Sequence, residues 1–418
     1  MSIATPSRID DNLRQVAEES LSSDGSGGLD RSDPALARLR ELGTELWLDT
    51  GNLEEARSLW TREFTALTTN NTLANQVVQT GVMDDVVKRA IRDLIDIDPD
   101  ISEEAMIMEL GFVVNCHIAL RLVKGLGATV SVELHPSVAE DSDRTVYWAE
   151  RYYRVCPERF IVKIPLSPEG FVAVAQAREK GIPINYTLGF SARQNYLAAR
   201  ISNPGYVNVF LGRLNAFVSD NRLGDGKLVG EKAALASQAA VRELRSEGKS
   251  ASKQIAASLR EGSQVSALAG MDVHTIPTKV AKAFIESKPD PAALISQIDQ
   301  QPEPTFLQSV NRKAIDVLWA VDENVKRLAE ELVRRGPTKL TGDDIREADA
   351  DIGSGLFHRF SSVEVLDIRR QGKIPDWSRW EDEKNVPLDD LFTQSALQSF
   401  TVDQAALDDR LRYLTRTK

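Results

Sequence analysis

Phe160-Ile161-Val162-Lys163-Ile164-Pro165 is a β-branched, apolar run with a single lysine inside it. An ammonium is costly to bury there, so desolvation is expected to push the Lys163 amine toward its neutral, nucleophilic form. The plainer reading is a lysine snorkelling at a strand end. Working outward, six further segments pair a short apolar run with polar or charged residues at its end. Leu48-Asp49-Thr50, Leu67-Thr68-Thr69-Asn70 and Val130-Ser131-Val132-Glu133 precede it. Asn185-Tyr186-Thr187-Leu188-Gly189-Phe190-Ser191, Phe210-Leu211-Gly212-Arg213 and Ala257-Ser258-Leu259-Arg260 follow.

From Pro34 onward, strand-like runs alternate with amphipathic helical ones, the pattern of βα units on a parallel sheet. Strands are predicted at 45–49, 66–70, 129–133, 160–165, 183–188, 206–213, 253–258 and 272–277. Helical patterns lie between them, among others at 84–95, 102–123, 143–154, 168–179 and 228–248. Eight such repeats predict an α/β fold, a (β/α)8 TIM-type barrel spanning 34–290. An open doubly wound sheet is the competing architecture, weakened because no Gly-x-Gly-x-x-Gly follows the first strand. In a barrel, the polar residues after the strands converge on one mouth although they are far apart in sequence. That convergence is the bottom-up argument for catalysis.

Residues 1–33 are polar, with a Ser/Gly/Asp stretch at 22–28, and predict a flexible tail without a signal peptide. Residues 291–418 predict a helical C-terminal extension after proline-bearing linkers at 288–291 and 301–304. Within it, Ile315, Leu318, Val321, Val325, Leu328 and Leu332 predict one long amphipathic helix stopped by Gly336-Pro337. Thr341 is expected to cap a second helix, and a last one is expected over 402–413. A cap over the barrel, a homodimer surface or a small appendage are all open roles for this extension.

A net charge of -11 with dispersed basic residues argues against nucleic acid as partner. No run resembles the ~18 apolar residues of a membrane span. Two cysteines, Cys116 and Cys156, fall in separate predicted helices, which favours free thiols and a cytoplasmic location. Of the four histidines, His135 and His274 are expected at strand ends near the mouth, and His117 and His358 look structural. None forms a cluster of metal-ligand spacing, so neither a metal nor another cofactor is predicted.

The ordered set of seven motifs, from about Glu45 to Glu286, resembles the transaldolase family, class I Schiff-base enzymes on such a barrel. The resemblance implies catalytic roles for four residues. Lys163 forms the imine, Glu133 and Thr187 hold a catalytic water, and Asp49 acts as acid and base on the hydroxyl beside the cleaved bond. Asp49 read alone also suits a helix N-cap, and Glu133 read alone an ion pair with Lys163. The family resemblance further places Thr68, Asn70 and Asn185 on the dihydroxyacetone fragment. It makes Arg213, Arg260 and Ser258 a phosphate clamp, for which guanidinium forks are suited. Asn70 alone could be an ordinary turn residue.

Two departures bear on substrate choice. Asn208 stands where the family usually has serine and is expected to meet the ketose end and narrow the pocket; Asn71 replaces a usual proline. Phe210 matches transaldolases, whereas related fructose-6-phosphate aldolases carry tyrosine. The implied function is transfer of a dihydroxyacetone unit from sedoheptulose 7-phosphate or fructose 6-phosphate to glyceraldehyde 3-phosphate or erythrose 4-phosphate, in the pentose phosphate pathway. An aldolase on the same site and a non-catalytic binding barrel are the competing readings.

Overall fold

Along each short strand, apolar residues two apart face the same way, and eight such strands close into a barrel in sequence order. They are β1 (Glu45–Asp49), β2 (Phe64–Thr68), β3 (Thr129–Glu133), β4 (Phe160–Pro165), β5 (Ile184–Thr187), β6 (Tyr206–Phe210), β7 (Lys253–Ala257) and β8 (Val273–Pro277). All pairs are parallel, and β1 closes the ring against β8. This computed structural model describes residues 8–22, 30–381 and 386–416.

Alternation sorts the side chains. Trp47, Ala66, Ile161, Ile255, Ala257 and Val273 fill the barrel interior. Their neighbours, such as Leu46, Leu48, Val162 and Ile164, pack outward against the helices. Lys163 lies two residues beyond Ile161, and Asp49 two beyond Trp47, so both point inward above that apolar layer. The expected strands hold, with boundaries shifted in β2, β5, β6, β7 and β8; β5 and β8 lose only end residues. β2 begins at Phe64 and ends at Thr68, because Asn70 leaves it to cap the helix Asn71–Gln79. β6 stops at Phe210, and Arg213 therefore sits in the first turn of the helix Leu211–Asp220 rather than at a strand end. β7 stops at Ala257, and Ser258 follows it with φ +62°.

The expected flexible N-terminal tail is corrected for residues 8–22, which form a helix. Ile9, Leu13 and Ala17, spaced by four, make an apolar face that buries. Asp10 of the same helix accepts from Arg151 at 2.8 Å. The Ser/Gly-rich stretch that motivated the expectation lies mostly outside the described residues.

The helix Glu103–Leu126, capped by Ser102 and closed by left-handed Gly127, corrects a second expectation. It is long and apolar enough to cross a membrane by length and composition. Here two thirds of its apolar window is buried, and it packs as a core helix of the barrel's outer layer.

In the extension, the single helix expected over 315–332 is two: Arg312–Asp316 and Glu323–Arg335. Asp322 accepts from the Val325 amide and starts the second, which breaks the periodic pattern. Thr341 does cap Gly342–Ile352, in a reciprocal capping box with Asp344. The last helix runs over Leu388–Arg416, far longer than the expected 402–413. It buries Phe392, Leu397, Phe400, Leu407 and Leu411 in the same apolar cluster as the barrel helices. Both cysteines are free and buried.

Candidate active site at the barrel mouth

Register brings the acid and the amine together. Glu133 of β3 pairs with Lys163 of β4, and Lys163 pairs with Asn185 of β5. Lys163 is 4 % exposed, and its Nζ donates to Glu133 Oε2 at 3.1 Å and to the Thr69 carbonyl at 3.0 Å. The plainer reading of Glu133 as an ion-pair partner is thus realised through its Oε2. Burial raises the Glu133 carboxyl above its ordinary range, against the opposing pull of Lys163.

Asp49 is half-buried at the mouth. Burial raises its carboxyl too, opposed by Lys163, by the Thr68 hydroxyl and by Arg260. Thr68 Oγ1 donates to Asp49 Oδ1 at 2.6 Å and lies 2.6 Å from Thr275 Oγ1. Asp49 is not a helix cap; Asn52 has that role, accepting from the Glu54 and Glu55 amides. Asn70 does cap a helix: its Oδ1 accepts from the Leu73 amide at 2.9 Å, which commits its oxygen and leaves its NH2 group.

Asn185 Nδ2 donates to Ser131 Oγ at 3.1 Å. Its Oδ1 and the Thr187 hydroxyl are buried without a hydrogen-bond partner among the described residues, and so is Nη1 of Arg213. Buried polar atoms are nearly always paired. Three bare ones on the inward face and at the mouth of β5 and β6 leave hydrogen-bonding capacity there that a water or a polar ligand can meet.

Arg213 is 6 % exposed, with its guanidinium carbon 6.0 Å from the Phe210 ring centre and 5.9 Å from that of Phe400. Burial, then the neighbouring Arg260, pushes it down to about 10. Arg260 is brought close by Gly212. A Cβ there would fall 2.1 Å from the Ser258 carbonyl and 2.9 Å from Arg260 Nε, so only glycine lets the first helical turn after β6 meet the loop after β7. Two cations held this near each other, one without a paired nitrogen, suit a multiply charged anion.

Two expectations need correction. The Asn208 side chain does not stand free to meet a ketose: its Nδ2 donates to the Tyr186 carbonyl at 2.5 Å, and its Oδ1 accepts from Gly189 N at 3.3 Å. It stitches β6 to the end of β5 instead. His274 does not line the mouth, since it is the second residue of β8, fully buried, with Nε2 2.9 Å from the Leu268 carbonyl. His135 does reach the rim, 3.3 Å from Asp408 of the last helix. His117 sits in the core helix, and burial lowers it to about 4.

Sequence reasoning missed Thr275, Trp47 and the contribution of the last helix. Thr275 follows Val273 by two on β8, and Trp47 precedes Asp49 by two on β1, so alternation was the available signal for both. No local pattern points to Phe400 or to Asp403, whose carboxylate accepts from the Thr72 hydroxyl beside the end of β2.

A sequence profile of the family described as Transaldolase/Fructose-6-phosphate aldolase matches residues 46–336. A protein named probable transaldolase from Thermus thermophilus is 30% identical over 246 residues, 58% of this chain and 91% of that protein. One of the same name from Aquifex aeolicus is 39% identical over 132 residues, 31% of this chain and only 54% of its own length. A transaldolase from Xanthomonas euvesicatoria is 26% identical over 251 residues, covering 59% of this chain and 76% of that one.

Proposed function

We propose a transaldolase function on one premise: the chain belongs to the transaldolase/fructose-6-phosphate aldolase family. The reaction is transfer of a dihydroxyacetone unit from a ketose phosphate, fructose 6-phosphate or sedoheptulose 7-phosphate, to an aldose phosphate. The observation that carries it is the buried Lys163–Glu133 contact at 3.1 Å under the same mouth as Arg213 and Arg260.

Lys163 Nζ, once neutral, attacks the ketone carbon to give a carbinolamine. Glu133, with the free Thr187 hydroxyl, positions the water that moves protons as hydroxide is lost and the imine forms. The protonated imine draws electrons from the adjacent carbon–carbon bond. Asp49 takes the proton from the hydroxyl next to that bond, which breaks, and an aldose phosphate leaves. The remaining enamine adds to the acceptor aldehyde, whose oxygen takes the proton back from Asp49, and hydrolysis frees Lys163. Asp49 suits this alternation because burial favours its protonated form while Lys163 and Thr68 favour the ionised one. Arg213, Arg260 and Ser258 take the phosphate end, and Thr68, Asn185 and the Asn70 amide the dihydroxyacetone end.

Release of glyceraldehyde 3-phosphate from fructose 6-phosphate, measured with and without erythrose 4-phosphate, tests the reading. Release that needs the acceptor supports transfer; release without it supports an aldolase; silence in both sinks the proposal. Lys163→Ala is expected to lose about a thousandfold or more in turnover with an unchanged circular dichroism spectrum. Unimpaired turnover in that variant would exclude an imine on this residue.

A further inference from the structure

The helix Leu388–Arg416 lies outside the family-matched residues 46–336, yet it crosses the mouth. Thr393 Oγ1 donates to the Leu188 carbonyl at the end of β5, at 2.9 Å. Phe392 stacks on Phe190 at 4.9 Å in the same loop. Further along, Asp403 meets Thr72 after β2, and Asp408 meets His135 after β3. From Thr393 to Asp408 a helix advances about 22 Å, enough to span a barrel opening from its β5 side to its β3 side.

Phe400 and Asp403, three apart, share the face of this helix nearest Arg213. The Arg213 guanidinium carbon lies 5.9 Å from the Phe400 ring centre and 6.0 Å from that of Phe210, so the cation has an aromatic face from each. Burial and Arg260 lower the Arg213 guanidinium, and the Asp403 and Glu133 carboxylates pull the other way. No ion pair forms between Asp403 and Arg213: Asp403 is held by the Thr72 hydroxyl, and Nη1 of Arg213 stays bare. A half-exposed carboxylate is thus fixed beside a cation without neutralising it.

Resting on the phosphate-clamp reading above, we propose that Asp403 is a specificity-determining residue of this site. It opposes a second negative charge near Arg213, and so weakens the hold on a dianionic phosphate, while Phe400 keeps the guanidinium in position. The extension thereby sets how strongly the barrel discriminates phosphorylated from less charged sugars. Asp403 takes no part in bond making; it acts through Arg213.

The test is calorimetric titration of the intact chain with inorganic phosphate, compared with Asp403→Asn and Arg213→Met. Asparagine keeps an oxygen acceptor for Thr72, so that variant is expected to fold. Asp403→Asn should bind phosphate about three- to tenfold more tightly at low salt, the gain shrinking as salt screens the charge. KM for fructose 6-phosphate should fall alongside while kcat changes little. Unchanged or weaker binding in Asp403→Asn, with binding lost in Arg213→Met, overturns this inference and leaves the clamp standing. Equal binding by Arg213→Met and the unaltered chain, or none by either, overturns the clamp and this inference together. Phe400→Leu supplies an independent readout: a several-fold rise in KM is expected, and an unchanged KM removes Phe400 from the argument.

Discussion

Arg193 and Arg213 are buried to the same degree, 5 % and 6 % exposed, but their surroundings differ. Arg193 gives Nε and Nη2 to the two oxygens of Asp389 at 2.8 and 2.7 Å, and Nη1 to the Ser354 carbonyl at 3.3 Å. Ser191 Oγ adds a bond to the same carboxylate at 2.6 Å. Burial alone would lower this guanidinium, and the Asp389 carboxylate more than reverses it, holding Arg193 above its ordinary value. Arg213 has two ring faces and a bare nitrogen, and burial with Arg260 lowers it. A buried charge by itself therefore marks nothing. The unmet hydrogen-bonding capacity around it separates a group that fastens an extension to a barrel from one that the proposed clamp would turn toward an anion.

The sharpest way to break this comparison is Arg193→Ala. It leaves Asp389 buried and uncompensated, and is expected to cost about 3–5 kcal/mol in thermal or urea unfolding. A loss below about 1 kcal/mol would mean that the pair is not what fastens the helix Leu388–Arg416. Arg213→Met is expected to do the reverse. Replacing a buried cation that has a bare nitrogen by an apolar chain of similar length should leave the midpoint of unfolding unchanged or higher. Its kcat/KM for sugar phosphates should fall by about a hundredfold, roughly the worth of one charge-assisted phosphate contact. A variant that instead unfolds would place Arg213 among the structural arginines.

A smaller effect comes from the residue beside Asp389. Asp390 accepts from the His358 amide at 2.7 Å, and burial, with Asp389 adding its charge, pushes its carboxyl up to about 8. The folded chain thus keeps a proton that the unfolded chain releases near its ordinary 3.8. Stability from this group is complete below about pH 4 and is lost as pH rises toward about 8. Asp390→Asn mimics the protonated form and is expected to raise stability above pH 8 by about 1–3 kcal/mol while changing little near pH 4. A pH-independent difference between the two chains would contradict that assignment. The smallest change expected is at Phe210, whose ring faces both Phe190 and Arg213. Phe210→Tyr should alter stability by less than about 0.5 kcal/mol, but should raise acceptor-independent release of glyceraldehyde 3-phosphate if a phenol there helps orient water.

Strand alternation and the order of polar strand ends were legible in the chain itself, because they depend on residues one or two apart. That is why β1, β3 and β4 fall where the pattern places them, and why Lys163, Glu133 and Asp49 all face inward. The N-terminal helix was readable too, through Ile9, Leu13 and Ala17, but the Ser/Gly stretch after it outweighed that spacing. Other features depend on partners far away in sequence, and no local pattern encodes them. Asn208 looks like a pocket residue until the Tyr186 carbonyl, 22 positions earlier, takes its amide. Arg193 and Arg213 look alike until Asp389, 196 positions after Arg193, pairs with one and leaves the other bare. The sequence by itself determined a barrel and which strand residues turn inward, since backbone periodicity is a local property. Tertiary packing alone decided which buried charges are neutralised and which stay open, because a charge's partner is chosen by proximity in space.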